Sequence, residues 1–293
     1  MVRDGSGSAR LLLVFGLLSL GAVGVGALVC AMSDVPTGLW LRNLAAWLVG
    51  ALAAWGISVS AGPRILPFIL WAAPLALAAT FVSPGQDGVH RWIDAGPLSM
   101  NAAMLVLPMA IVALAALGKT RRWAWLPAFL CLAILVAQPD ASQATAFGLA
   151  VALIAGVSTA GWKLKGPLVV AALGMVAAAW LRPDPLQPVA EVEEIIDLAF
   201  GLSPFLAVIA VALLVGLALA PALATRRSRR SLPIAGAALS ACFAAWVVTP
   251  FLGHFPVPLV GVGLSPVLGS WLAVGLLAAL IRRGRALGSG LTA

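Results

Sequence analysis

The stretch GQDGVHRWIDAGPLS, from Gly85 to Ser99, places two aspartates, a histidine, an arginine and a tryptophan between two long apolar runs. Charged residues make up only 10% of the 293-residue chain, whereas hydrophobic residues make up 62%. Soluble globular domains contain about 45–50% apolar residues. The cluster therefore marks a place where the chain leaves a membrane, and the apolar runs on either side predict membrane helices.

Working outward from this stretch, ten apolar segments approach the roughly 20 residues that a helix needs to cross a membrane. We expect an all-α polytopic bundle of about ten transmembrane helices, forming one domain over residues 1–293. The predicted helices are 11–32, 39–59, 64–83, 98–118, 122–138, 141–161, 166–182, 196–224, 231–252 and 264–282.

The distribution of basic residues predicts how these helices are oriented. With both termini in the cytoplasm, every lysine and arginine except Arg42, Arg91 and Arg182 lies on the cytoplasmic side, which is 15 of the 18. This asymmetry follows the positive-inside rule, and removing any one helix destroys it. The formal charge of +8 is therefore interpreted through its distribution, with no nucleic-acid partner expected. The predicted cytoplasmic set is Arg3, Arg10, Arg64, Lys119, Arg121, Arg122, Lys163, Lys165, Arg226, Arg227, Arg229, Arg230, Arg282, Arg283 and Arg285.

The acidic residues and the cysteines are distributed differently from the basic residues. The cysteines Cys30, Cys131 and Cys242 lie singly inside apolar runs, which predicts core residues and neither disulfides nor a metal site. The same topology puts nine of the ten acidic residues on the outer side, and because acidic residues do not set orientation, their placement needs its own explanation. The outer acidic residues are Asp34, Asp87, Asp94, Asp140, Asp184, Glu191, Glu193, Glu194 and Asp197.

Four outer loops carry the polar groups that could form a site, since such groups are costly at membrane depth and are functional candidates by default. The loops are predicted at residues 84–97, 138–141, 183–195 and 253–263. Together they combine a cation, hydrogen-bonding groups and carboxylates on one face of the membrane. An anionic, lipid-linked substrate would need such a mixture.

Each loop also has a purely structural interpretation. The group His90, Arg91 and Trp92 could anchor the chain at the membrane interface. Asp140 could cap the sixth helix, because an aspartate is favourable at a helix start. The acidic residues 191–197 could be a solvated loop, and Gly261 and Gly263 could form a turn.

Three segments of these loops resemble signatures of the SEDS proteins, the family of shape, elongation, division and sporulation. GVHRWIDAGPLS is similar to the family's outer-loop signature G-A-x-R-W-I-x-L-G-P, and LAILVAQPDASQAT is similar to LLLQPDLGTA. FPVPLVGVGLSPVLGSWLAVGLLAALIRR resembles a weakened form of LPFVSYGGSSLLANLLALGLLLSISRR. The three segments occur in the family's order and in the expected loops.

The resemblance implies a peptidoglycan glycosyltransferase of the cytoplasmic membrane that polymerises lipid II, or a related polyprenyl-pyrophosphate-linked glycan, on the outer face. It also implies a role in division, elongation or cell shape and a class B penicillin-binding protein as partner. The alternatives are a catalytically inactive scaffold that binds lipid II or a partner, and a flippase for lipid-linked precursors. A transporter would place ionisable groups near the midplane, and few occur inside the predicted spans.

The resemblance also suggests which residues form the site. The family's essential carboxylate is the aspartate of an H-T-D-F segment before helix eight. This chain lacks that segment, and alignment of VEEIIDLAFGLSP with the region places Glu194 nearest, with Glu193 and Asp197 as alternative bases. An arginine or a divalent cation would stabilise the leaving pyrophosphate. The expected substrate contacts are His90, Arg91, Trp92, Asp94, Gln138, Asp140, Ser265 and Ser270.

The chain departs from the family in other ways. Loss of the H-T-D-F aspartate and of a Q-P-S-E glutamate favours the scaffold, whereas Arg91, Trp92 and the carboxylate cluster favour a substrate-facing site. Where the family continues Q-P-S-E after the first signature, this chain has the residues Asn101 to Met104, so the glutamate has no counterpart. Ser-Tyr-Gly-Gly is replaced by Gly261, Val262, Gly263 and Leu264. The loop before helix eight is also shorter than in the family.

Overall fold

The computed structural model describes residues 6–96, 98–157, 162–228 and 232–289. Arg3, Arg229 and Arg230 of the predicted cytoplasmic set, and Pro97 of the first outer loop, lie outside the described residues.

Each of the ten predicted segments contains a helix, and the described part of the chain forms a bundle of eleven α-helices. Short 3-10 turns extend α3 at both ends, the start of α5 and the end of α10. The helices are α1 (Ser6–Met32), α2 (Thr37–Ser60), α3 (Leu66–Ala79), α4 (Ala102–Leu117), α5 (Trp125–Ala137), α6 (Ala141–Val157), α7 (Trp162–Trp180), α8 (Ile195–Leu202), α9 (Pro204–Thr225), α10 (Leu232–Val248) and α11 (Leu264–Ser289).

Helix length and composition support membrane spanning for six of these segments. They are Gly7–Met32, Thr37–Ser60, Pro63–Val82, Pro204–Thr225, Leu232–Phe251 and Leu264–Gly284. Four further apolar helices are shorter, at Ala102–Leu117, Arg122–Ala137, Ala141–Val157 and Leu164–Trp180. The prediction that all ten cross the membrane, with both termini in the cytoplasm, stays a prediction.

The predicted eighth helix is interrupted. Helix α8 ends at Leu202, Ser203 is extended with φ −166° and ψ 125°, and α9 begins at Pro204. A residue before proline is pushed out of the helical conformation, and proline itself fits the first turn of a new helix. A continuous helix over 196–224 is therefore wrong, and the correction leaves α8 as a short helix leading into the longer α9.

The opening stretch forms a β-hairpin, which the all-α prediction did not include. Strand β1 (Trp92–Ala95) pairs antiparallel with β2 (Leu98–Asn101), and the chain turns at Gly96 with φ +62°. The fourth helix consequently begins at Ala102 and not at residue 98. Asn101 caps it, because the Asn101 side chain accepts a hydrogen bond from the Met104 N–H at 3.0 Å.

Helix α11 occupies the centre of the bundle, against α2 and α4. Of its most apolar window 78% is buried, compared with 28–50% for the other five long helices. Small residues permit this packing: a Cβ added to Gly269 would lie 2.0 Å from the Met104 carbonyl oxygen, and one added to Gly275 would lie 2.6 Å from Cα of Ala54. Such close backbone contact is the usual way in which membrane helices associate.

Candidate functional site

Arg91 connects three of the predicted loops at one end of the bundle, which we call the site end. Its side chain is 6% exposed. Its Nη2 atom donates hydrogen bonds to the carbonyl oxygen of Pro139 and, at 2.6 Å, to Oδ2 of Asp184. Its Nε atom lies 3.8 Å from Oδ2 of Asp140 and has no hydrogen-bond partner among the described residues. The interpretation as a free interfacial anchor therefore does not describe Arg91.

Asp140 has one oxygen that caps a helix and one that lacks a hydrogen bond. Its Oδ1 accepts hydrogen bonds from the Ser142 hydroxyl at 3.1 Å and the Gln143 N–H at 3.2 Å, at the start of α6. The capping interpretation is thus confirmed. Its Oδ2 has no hydrogen-bond partner in the described chain, although the residue is only 2% exposed. A buried oxygen without a partner costs stability, so it is a candidate for binding a ligand.

All four loops contribute to one cavity of about 300 Å³ at the site end. Its volume is at the lower limit of ligand pockets, which are about 300–1,000 Å³. The ionisable residues that line it are Arg91, Asp140, Glu193 and His254. Polar and aromatic lining residues are Gln86, Trp92, Ser99, Asn101, Ser142, Gln143, Gln187 and Ser265.

Backbone hydrogen bonds join the third and fourth loops. The Val257 N–H donates to the Val192 carbonyl at 3.0 Å, and the Val262 N–H donates to the Glu191 carbonyl at 2.8 Å. Gly261 is required for this contact, because a Cβ there would lie 2.5 Å from the Val192 carbonyl oxygen. The turn interpretation of Gly261 therefore understates its role, since the loop supports the segment that carries the acidic residues.

Asn43 of α2 holds the fourth loop through two hydrogen bonds, and it was not among the predicted site residues. This buried residue of α2 donates through Nδ2 to the Gly261 carbonyl at 2.8 Å and accepts at Oδ1 from the Gly263 N–H at 3.0 Å. A polar side chain inside an apolar helix is the signal that could have identified it.

The three predicted bases occupy different environments. Glu193 lines the cavity, and its Oε2 accepts a hydrogen bond from the Val189 N–H at 2.8 Å. Glu194 lies at the surface, with Oε1 3.8 Å from Nδ1 of His254 and a side chain that is 42% exposed. Asp197 is exposed in the first turn of α8. Only Glu193 thus faces the cavity that contains Arg91 and Asp140.

The pKa of Glu193 is raised above its ordinary value of 4.5. Burial is the main cause, since it penalises the charged form, and the nearby Glu191 adds to it. The hydrogen bond from Val189 and the charge of Arg91 act in the opposite direction. A carboxylate with a raised pKa in a cavity accepts a proton more readily than an ordinary glutamate, which suits a general base.

Several predicted substrate contacts serve the framework of the site. His90 lies with Nδ1 3.2 Å from the Ser83 carbonyl oxygen, inside the first loop. Gln138 donates to the Thr80 hydroxyl at 2.6 Å, and Ser270 donates to the Val267 carbonyl at 3.0 Å. Asp94 is exposed on β1. None of these four lines the 300 Å³ cavity.

Trp92 and Ser265 do line the cavity. The Ser265 hydroxyl oxygen accepts from the Asn101 N–H at 2.9 Å, which attaches the start of α11 to the hairpin. Asp184 was counted among the outer acidic residues but not among the site residues. Its pairing with Arg91 joins positions 93 residues apart, and no local pattern indicates that contact.

No complete metal site occurs in the described part of the chain. No three histidine, cysteine, aspartate or glutamate side chains there are grouped as metal ligands. The three cysteines are buried in the core, as predicted.

Comparison with known proteins gives one family and one fold. The model of the cell cycle protein family FtsW/RodA/SpoVE matches residues 8–193. Two crystal structures of the rod shape determining protein RodA from Thermus thermophilus, one of them of a mutant, superpose with a TM-score of 0.69. They are 19% and 20% identical in sequence and cover 92% of this chain and 96% and 97% of theirs.

A third solved chain has the same fold. It belongs to a structure reported as "Structural coordination of polymerization and crosslinking by a peptidoglycan synthase complex". It superposes with a TM-score of 0.64 at 19% identity, over 92% of this chain and 97% of the other. No sequence among proteins of curated function matches the chain.

Proposed function

We propose a function from the family to which this chain belongs, the FtsW/RodA/SpoVE family of cell cycle proteins, also called the SEDS family. The proposed function is that of a glycosyltransferase of the cell wall. It is a multi-pass membrane protein, with six helices long and apolar enough to span. Its reaction would be the polymerisation of lipid II, or of a related polyprenyl-pyrophosphate-linked glycan, on the outer face of the cytoplasmic membrane. Division, elongation and cell-shape control are the settings in which such a polymer is made.

The cavity at the site end is the observation that supports this proposal. It brings a carboxylate with a raised pKa, a buried arginine and an unpartnered carboxylate oxygen into one space. Glycosyl transfer from a pyrophosphate donor needs a proton acceptor and a cation for the leaving group. Trp92 also lines this space, beside these polar groups.

Glu193 is the best general base among the three predicted carboxylates. It would remove the proton from the attacking sugar hydroxyl while the hydroxyl oxygen bonds to the anomeric carbon of the donor. The bond from that carbon to the phosphate oxygen breaks, and the lipid pyrophosphate leaves with the electron pair. Glu194, which the alignment favoured, and Asp197 lie outside the cavity, so they are less suited to this role.

Arg91 and Asp140 would act on either side of this step. The free Nε of Arg91 would donate to the leaving pyrophosphate, on which negative charge develops. The free Oδ2 of Asp140 would accept a hydrogen bond from a sugar hydroxyl and so orient the acceptor or the donor. His254 lines the same cavity and could donate a hydrogen bond to the pyrophosphate.

A penicillin-binding protein of class B is the proposed partner. The chain shares its fold with a chain of a peptidoglycan synthase complex in which polymerisation and crosslinking are coordinated. A glycan polymerase alone leaves strands uncrosslinked, so a transpeptidase beside it would complete the wall.

The scaffold remains the second candidate because the catalytic side chains are already engaged. Arg91 is bonded to Asp184 and Pro139, and Glu193 accepts from Val189. A protein that only binds lipid II or a partner would keep such contacts fixed. An enzyme would have to exchange some of them for contacts with substrate.

A polymerisation assay distinguishes the two. The purified protein, alone and with a co-encoded class B penicillin-binding protein, is given labelled lipid II, and the products are separated by length. We expect polymer from the wild type, none from Glu193→Gln, and polymer from the matched control Glu194→Gln. Polymer from Glu193→Gln would refute the assignment of the base. Binding of lipid II without polymer in every condition would support the scaffold.

A further inference from the structure

A second cavity, of about 570 Å³, lies at the opposite end of α3 from the site end. The loop at Ser60–Ile65 that joins α2 to α3 forms one side of it, and Met109 of α4 and Leu276 of α11 form the other. Its volume falls within the range of ligand pockets, which is about 300–1,000 Å³. Its interior is apolar, with Ile57 and Ile69 among the lining residues.

Two arginines, Arg64 and Arg283, are the charged residues in the lining of this cavity, and no acidic residue lines it. Arg283 is held in place, because its Nε donates to the Ala61 carbonyl at 2.7 Å and its Nη2 donates to the Ser60 carbonyl at 3.1 Å. These carbonyls belong to the end of α2, where a cation is electrostatically favourable. Arg64 is exposed, and its side chain makes no hydrogen bond or ion pair with another described residue.

The position of the cavity limits what can occupy it. The loop at residues 61–62 connects two candidate spans, Thr37–Ser60 and Pro63–Val82, so the cavity lies where a bundle meets the membrane surface. At that depth, phospholipid headgroups are the abundant anions and their acyl chains extend toward the apolar interior. The two arginines of the cavity complement the anionic headgroup of such a lipid, and the apolar interior complements its acyl chain.

We propose that this cavity binds an anionic phospholipid, with the headgroup phosphate at Arg64 and Arg283 and the first part of an acyl chain against Ile57, Ile69 and Leu276. The site is separate from the proposed glycan site and does not depend on the glycosyltransferase assignment. It would fix the junction of α2, α3 and α11, because the lipid contacts elements of all three.

The test uses the full-length protein in detergent with phosphatidylglycerol or phosphatidylcholine added, and native mass spectrometry counts the bound lipids. We expect phosphatidylglycerol to be retained in preference to phosphatidylcholine. Arg64→Gln should weaken retention about fivefold, which corresponds to about 1 kcal/mol for one basic residue near an anionic headgroup. Arg121→Gln, an exposed arginine in the loop between α4 and α5 that does not line the cavity, is the matched control.

Two further variants keep the proposal open to refutation. Arg283→Gln should also weaken lipid retention, but it removes the hydrogen bonds to the end of α2 as well. Ala61→Met separates the two effects, because it fills the cavity without removing a charge and should still displace the lipid. Equal phosphatidylglycerol retention in Arg64→Gln, Ala61→Met and the control would overturn the proposal. So would equal retention of phosphatidylcholine, or competition by glycerol phosphate at the same concentration, which would indicate a site for a soluble phosphate.

Discussion

The Nη2 atom of Arg91 donates a hydrogen bond to Oδ2 of Asp184 at 2.6 Å, and this bond joins the hairpin to the loop before α8. On its other side Arg91 faces Asp140, with Nε and Oδ2 3.8 Å apart. One buried guanidinium therefore lies between two carboxylates that belong to different loops. Because these loops form the walls of the cavity, the position of Arg91 determines the shape of the site.

Loss of Arg91 should destabilise the protein strongly. Arg91→Ala leaves the buried Asp140 without a neighbouring cation, and removing one partner of a buried ion pair costs about 3–5 kcal/mol. Asp184→Asn should cost less, because the Asp184 side chain is 25% exposed and an amide can still accept a hydrogen bond. The melting temperature in detergent measures both effects. Arg182→Ala, at an exposed arginine of the same loop, is the control, and a melting temperature of Arg91→Ala equal to that of the control would contradict the prediction.

The helical part of the fold was predictable because membrane helices need long apolar runs. The break at Ser203 and Pro204 was missed because apolar residues continue on both sides and hide a local backbone effect. The hairpin was missed for a related reason. Its second strand, Leu98–Asn101, runs directly into the apolar helix α4, so composition alone does not separate the two elements.

Some residues that line the cavity were predictable from the sequence, but their pairings were not. Arg91, Asp140 and Glu193 attract attention because charges are rare in this chain. Which of Glu193, Glu194 and Asp197 faces the cavity depends on how α8 begins and how the loop before it packs against Val257 and Val262. These contacts join residues far apart in sequence, and no local pattern specifies them.

The polymerisation rate should depend on the protonation of Glu193. As a general base it must be ionised, so the rate should fall as the pH is lowered through its pKa, which lies above 4.5. Glu193→Gln should abolish the reaction at every pH, and Glu194→Gln should leave the profile unchanged. The measurement is the initial rate of labelled lipid II polymerisation across a pH series. A midpoint that persists in Glu193→Gln would assign the titration to another group.

The same pKa predicts a stability effect that does not require activity. Between pH 4.5 and the raised pKa, the folded protein binds more protons at Glu193 than the unfolded chain does. The stabilisation from protonated Glu193 is therefore fully present below pH 4.5 and is lost as the pH rises through the folded-state pKa. Melting temperatures of wild type and Glu193→Gln across this range should differ in their pH dependence. Parallel curves would contradict the prediction.

Asn43 should control the order of the loop at residues 259–263. Asn43→Leu keeps the approximate size but removes both hydrogen bonds to Gly261 and Gly263, at a cost of about 1–3 kcal/mol for each buried group left unpaired. Hydrogen exchange of this loop should become faster, and polymerisation should decrease with it. The control is Ser58→Ala, at a buried residue of α2 whose hydroxyl donates to the nearby Trp55 carbonyl and to no other described residue. Unchanged exchange in Asn43→Leu would show that other contacts hold the loop.

Gly269 should not tolerate a side chain. In Gly269→Ala the new methyl group would lie 2.0 Å from the Met104 carbonyl oxygen, so α4 and α11 would have to separate. Overpacking of this kind typically costs about 1–3 kcal/mol, and the melting temperature in detergent should fall accordingly. Gly174→Ala is the matched control, because no atom of another described element lies within 4 Å of its added Cβ and alanine favours a helix. Equal melting temperatures for the two variants would refute the close packing of α4 on α11.

The orientation of the bundle can be tested by labelling single cysteines from outside the cell. If the site end faces outward, Gln187→Cys should react with a membrane-impermeant maleimide in intact cells, whereas Thr120→Cys, in the exposed loop between α4 and α5, should react only after permeabilisation. Background should be low, because Cys30, Cys131 and Cys242 are buried. The basic loops predict this result through the positive-inside rule. Labelling of Thr120→Cys but not Gln187→Cys in intact cells would invert the topology, and it would place the cavity of Arg91 and Glu193 on the side where an extracellular glycan cannot be polymerised.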